Sequence, residues 1–120
     1  MTEKLTAYAK GILGEDAARK YLESKGMVLL HQRYHSPYGE IDLVMLDGQT
    51  LAMVEVKARE NADPAACTYA ITPTKQKRLC MTARYYLADH PADMPVRFDA
   101  VLVTRRGIRH IPNAFEGKEW

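Results

Sequence analysis

The sequence predicts an α/β fold, a mixed five-stranded sheet flanked by helices. Three observations carry that expectation. Hydrophobic periodicity runs in the order helix, three strands, helix, two strands. Asp47-Gly48 separates two apolar runs, a strong hairpin signal. Thr72-Pro73 announces a second helix, with Thr72 as N-cap and Pro73 at the first helical position. With 120 residues, the chain is expected to form a single domain over residues 1–120. A chain of that size can bury about two thirds of its unfolded surface, enough for a core without staples.

The first helix is expected from about Leu5 to Lys25. Ala18, Tyr21, Leu22, Gly11 and Gly14 fall on one side of it, and Gly26 stops it. The two glycines are poor helix formers, so the regular part is expected to begin near Leu13. Met27 to Tyr34 reads as a strand and Ser36-Pro37-Tyr38-Gly39 as a turn. Glu40–Leu46 and Gln49 or Thr50 to Lys57 read as the two arms of the hairpin. Glu60 to Ile71 reads as a loop. The second helix is expected to reach Ala88 or Asp89, with Leu79, Ala83, Tyr86 and Leu87 as its apolar stripe. Arg97–Thr104 and Ile108–Ile111 complete the strands, joined by a turn at Arg106-Gly107.

Composition is that of an ordinary soluble domain, 47% hydrophobic and 27% charged. A net charge of +2 neither demands nor excludes nucleic acid. Its distribution says more: Lys75, Lys77 and Arg78 cluster, as do Arg105, Arg106 and Arg109, while residues 39–57 are acidic until Lys57 and Arg59. Cys67 and Cys80 have no metal-ligand spacing and are expected as free thiols. No apolar signal core opens the chain and no run reaches membrane-spanning length, so a cytoplasmic location is expected, with no membrane partner.

The chemistry concentrates in the hairpin. Side chains alternate along a strand. A two-residue turn at Asp47-Gly48 would pair Leu46 with Gln49, Asp42 with Met53 and Glu40 with Glu55. Glu40, Asp42, Glu55 and Lys57 would then share one sheet face, with Ile41, Leu43, Val54 and Val56 on the other. Crowded carboxylates repel one another unless a cation relieves them. Oxygen-only ligands suit Mg²⁺ or Mn²⁺. An Asp followed by Glu-x-Lys on the next strand is an arrangement that cuts phosphodiesters with such a metal. The bland alternative is a solvated polar face with Glu40 and Lys57 as ion partners. Glu15 lies on the side of the first helix that faces the protein, and Gly14 would let that helix approach the sheet closely. Lys75 and Gln76 open the second helix, where they would contact phosphate or water, or else serve as ordinary polar helix-end residues. His31, His35, His90 and His110 do not form a set and are expected in surface or nucleic-acid contact roles.

Gly11-x-x-Gly14-Glu15-x-x-Ala18, Gly39-Glu40-Ile41-Asp42-Leu43-Val44, Val54-Glu55-Val56-Lys57-Ala58-Arg59, Lys75-Gln76-x-Arg78, Arg97-Phe98-Asp99-Ala100-Val101 and His110-Ile111-Pro112-Asn113-Ala114-Phe115 occur in that order. In these segments the chain resembles the YraN family of small bacterial proteins, predicted endonucleases distantly similar to archaeal Holliday junction resolvases. The resemblance runs from about Tyr8 to Phe115. It implies a restriction-endonuclease-like fold with a PD-(D/E)xK type site. Asp42 and Glu55 would be metal ligands, Lys57 the catalytic lysine, and Glu15 the acidic residue supplied by the first helix. Gln76 would match the polar residue that follows the site in related nucleases. Where the family often carries an Asn-x-Arg pair, this chain has Arg33-Tyr34-His35, so Arg33 and His35 are the candidates for backbone contact. Arg59, Lys75 and Arg78 complete the expected nucleic-acid contacts. The implied cofactor is Mg²⁺ or Mn²⁺ and the implied partner DNA, including branched DNA. A homodimer is expected by the same likeness. A binding module on a nuclease-like fold, without catalysis, is the alternative function.

Overall fold

The computed structural model describes residues 7–60, 63 and 70–117, and only the backbone of residues 7–13. Its elements are α1 (Ala7–Ser24), β1 (Val28–Ser36), β2 (Gly39–Asp47), β3 (Thr50–Arg59), α2 (Pro73–Asp89), β4 (Val96–Thr104) and β5 (Gly107–Phe115). The five strands lie in one sheet in sequence order. β3 and β4 are parallel and joined through α2, and every other neighbouring pair is antiparallel. The expected mixed sheet flanked by helices is therefore present.

The sheet separates two apolar layers. On the α1 side, Ala18 and Leu22 pack with Leu43, Met45, Ala52, Val54 and Val101. On the α2 side, Leu79, Ala83 and Tyr86 pack with Ile41, Val44, Leu51, Met53 and Ala100. Cys80 is a free thiol buried in this second layer. Cys67 and the expected helix start at Leu5 lie outside the described residues, as does most of the loop after Glu60.

Several boundaries differ from expectation. α1 begins at Ala7, not near Leu13, and runs through both Gly11 and Gly14. Intrinsic propensity is a weak bias that surrounding structure overrides. The helix ends with the Gly26 and Met27 amides returning to the Glu23 and Leu22 carbonyls. α2 matches closely. The Thr72 hydroxyl accepts from the Lys75 amide, Pro73 lies in the first turn, and the His90 amide bonds the Tyr86 carbonyl at 2.7 Å. β5 continues past the expected Ile111 to Phe115. It is an edge strand, where Pro112 costs no ladder bond, and its register shifts opposite Phe98/Ala100.

The hairpin register is displaced by two residues. Asp47 pairs with Thr50, Leu46 with Leu51 and Leu43 with Val54. The turn residues are therefore Gly48 and Gln49. Gly48 has φ +60° at the first central position, the place where a type II′ turn wants glycine. An even displacement leaves the relative facing of the two strands unchanged.

A second difference changes the facing itself. Leu43 packs toward α1, but Ile41 packs toward α2. Alternation therefore breaks at Asp42. β1 breaks at the same level. The His31 and Tyr34 rings both lie against Tyr86, while Gln32 and Arg33 reach Asp16 and Glu15 of α1. Arg33 has φ +54°. Gln32 pairs with Leu43 and Tyr34 with Ile41, so Arg33 and Asp42 sit opposite each other in a crease shared by both strands. Such irregularities bend a strand and re-aim its side chains.

Candidate metal centre

The crease assembles the site. α1 passes close over the sheet at Gly14, where a Cβ would stand 3.2 Å from the Ala58 Cβ. The expected close approach is thus present, and it brings the next residue, Glu15, over the crease. One carboxylate oxygen each from Glu15, Glu40 and Asp42 lie within 4.8 Å of one another. Replacing Gly14 with Val should push α1 off β3. We expect a loss of about 1–3 kcal/mol in urea unfolding, together with a weaker response to divalent cations.

The β2–β3 ladder stops at Leu43 and Val54. Beyond it, Asp42 Oδ2 accepts the Val56 amide at 2.8 Å, where a strand carbonyl would otherwise stand. The carboxylate thus fills the gap between the separating strands. Glu55 arrives from the other side. Its strand neighbour Met53 and its cross-strand partner Ala100 belong to the α2 layer, and Lys75 at the start of α2 meets its Oε1 at 3.2 Å. The four groups expected on one face therefore divide, with Glu40 and Asp42 toward α1 and Glu55 toward α2. The shared crease turns Asp42 over, and β3 keeps its regular alternation. Lys57, partly buried, follows two residues after Glu55 on the same strand.

Electrostatics reflect this crowding. Burial raises the Asp42 pKa to about 7. The Val56 amide opposes the shift, while the charges of Glu55, Glu15 and Glu40 add to it. Burial also raises the pKa of Glu15, against the pull of Arg33. Arg33 Nε donates to Glu15 Oε2 at 3.0 Å, making it the counter-charge of the acidic group. Glu15 Oε1 and Glu55 Oε2 are buried with no hydrogen-bond partner. A buried carboxylate oxygen without a donor is costly, and a cation is one way to satisfy it.

The other expected contact residues are arranged less uniformly. Gln76 Nε2 donates inward to the Ile71 carbonyl at 2.8 Å. His35 is exposed, with Nδ1 3.6 Å from Glu40 Oε2. Arg59 is exposed at the end of β3, and Arg78 is exposed on α2 beside Gly39. The sequence puts Glu40 on the hairpin face without a ligand role, and the structure brings it into the carboxylate group. The Gly-Glu-x-Asp spacing carried that signal, because residues two apart share a face. The histidines are not all surface groups. The His31 and His90 rings lie 4.6 Å apart, and His110 is nearly buried against Asp99 at 2.8 Å. These contacts join residues far apart in the chain, which sequence spacing does not reveal.

The family model described as "Uncharacterised protein family UPF0102" matches residues 14–103, a span that contains all these acidic residues and α2. A UPF0102 protein of Rhodopseudomonas palustris (strain BisB18) is 45% identical over 117 residues, covering 95% of this chain and 85% of the relative. One from Bradyrhizobium diazoefficiens is 44% identical over 117 residues, covering 95% and 86%. A third, from Nitrosomonas eutropha, is 43% identical over 108 residues, covering 89% and 93%. No described helix is long and apolar enough to cross a membrane.

Proposed function

This chain belongs to the UPF0102 family, and we propose that it is a metal-dependent endonuclease hydrolysing phosphodiester bonds of DNA, branched DNA included. One observation carries the reading. Three carboxylates converge within 4.8 Å at a break in the sheet, where Glu15 and Glu55 each hold a buried oxygen without a donor. The donor set fits a hard divalent cation such as Mg²⁺ or Mn²⁺. Asp42, Glu15 and Glu40 would hold it, with Glu55 joining from the α2 side.

A cation bound there would polarise a phosphate oxygen and acidify an attacking water. The chain's own groups support that chemistry. The Val56 amide fixes the Asp42 carboxylate, and Arg33 fixes one oxygen of Glu15 while leaving the other open. Lys57 offers an ammonium beside Glu55 for the water or for charge building on phosphorus. Arg59, Arg78 and the start of α2 offer positive charge for the DNA backbone. A cytoplasmic protein acting on DNA, as a homodimer on two strands, fits this reading.

The test is incubation with Mg²⁺ or Mn²⁺ and duplex, single-stranded, flap and four-way DNA. Cleavage should require the metal and disappear on Lys57→Ala with the fold retained. A non-catalytic binding module is the second reading, favoured by the inward bonds of Gln76 and Lys75. DNA binding without cleavage, unchanged by Asp42→Ala, would select it.

A further inference from the structure

Lys75 is out of place by the ordinary rules of helices. It lies in the first turn of α2, where the partial positive charge of the helix end disfavours a cation, and no acidic residue in that turn offsets it. Its backbone amide is tied to the Thr72 hydroxyl at 3.3 Å. Its side chain, 43% exposed, reaches the sheet and meets Glu55 Oε1 at 3.2 Å. The second Glu55 oxygen is buried and unpartnered, and Glu55, though not one of the three carboxylates whose oxygens lie within 4.8 Å of one another, is the foremost charge acting on Asp42.

We propose that Lys75 is a resident counter-cation for Glu55, displaced when a divalent cation binds, and that the freed ammonium then takes a phosphate of the nucleic acid. The proposal rests on reading the carboxylate group as a metal centre. The pair is a single contact at 3.2 Å whose ammonium is partly exposed while its carboxylate is buried, so a divalent cation competes directly with Lys75 for Glu55. Once released, the ammonium remains beside the amino end of α2. A phosphate there satisfies the ammonium and the helix end together. Lys75 would thereby couple metal occupancy to DNA affinity.

The experiment compares wild type, Lys75→Gln and Lys75→Arg. Mn²⁺ binding without DNA is followed by calorimetry. Binding to a short duplex is measured over a range of salt, metal-free and with Ca²⁺. Lys75→Gln should bind Mn²⁺ up to about fivefold more tightly, because the competitor is gone, and Lys75→Arg should stay near wild type. With Ca²⁺, Lys75→Gln should lower the salt slope of DNA binding by about one, the loss of one phosphate contact. Without metal the slope should match wild type. Unchanged or weaker Mn²⁺ binding by Lys75→Gln overturns the displacement while leaving the metal centre standing. So does an equal loss of slope with and without metal. If wild type binds no Mn²⁺, both the displacement and the metal centre fall.

Discussion

Asp42→Asn should make the metal-free protein more stable at neutral pH while abolishing its response to divalent cations. Asp42 is pushed to about pKa 7 by burial and by the charges of Glu55, Glu15 and Glu40. Its ordinary value is 3.8. Between those values the folded chain keeps a proton that the unfolded chain has lost, so stability falls as pH rises from about 4 to about 7 and then levels off. Holding Asp42 ionised at pH 8 costs on the order of 2–4 kcal/mol. Asn removes the charge and keeps an acceptor for the Val56 amide. Urea unfolding at pH 8 should therefore show Asp42→Asn more stable by roughly that amount, with a smaller gain at pH 5. The residual pH slope in the variant belongs partly to Glu15, which is raised for the same leading reason. Mg²⁺ should raise the melting temperature of wild type and leave the variant unmoved. A variant less stable than wild type at pH 8 would show that the acidic group is not strained.

Asp99→Ala should be the most destabilising single change outside the site. The Asp99 side chain is wholly buried. It accepts from Arg97 Nε at 2.8 Å, Arg97 Nη2 at 2.9 Å and the Asn113 amide at 2.9 Å, and lies 2.8 Å from His110 Nε2. Removing it leaves the His110 imidazole without its carboxylate and the Arg97 guanidinium with only the exposed Asp47. Breaking a buried pair in this way costs about 3–5 kcal/mol. For a domain of this size that is a fall of roughly 10–20 °C in melting temperature. Asp47→Asn supplies the contrast. Asp47 bonds the same Arg97 at 2.9 Å but is 44% exposed, so its loss should cost about 1 kcal/mol or less. Equal losses in the two variants would refute the assignment of Asp99 as the buried anchor.

The pH dependence of Asp99 has the opposite sign to that of Asp42. Burial alone would raise its pKa, but His110, Arg97 and the Asn113 amide together outweigh burial and hold it below 3.8. Its contribution is therefore present above about pH 4 and is lost as pH falls through its folded value. Acid unfolding of wild type should begin there, and Asp99→Ala should lack that limb.

Local sequence determined much of the scaffold. Thr72-Pro73 starts α2 because a hydroxyl N-cap and a preset proline suit a helix end irrespective of the rest of the fold. Asp47-Gly48-Gln49 makes a turn because glycine takes the positive φ, although which pair forms the turn depended on the strands it joins. The acidic strands, the closeness of α1 at Gly14 and the inward position of Glu15 were all legible from periodicity and residue size. Tertiary structure decided the rest of the site. Alternation is a rule for a regular strand, and it does not foresee a crease that two strands share at Arg33 and Asp42. That crease gathers Asp42 and Glu40 under Glu15, while Glu55, whose charge also acts on Asp42, approaches from the α2 side and meets Lys75. The Asp99 anchor joins residues 97, 110 and 113 across a register shift, and no single segment encodes such a meeting. The carboxylates were thus written in the chain, while their grouping depended on where the sheet bends.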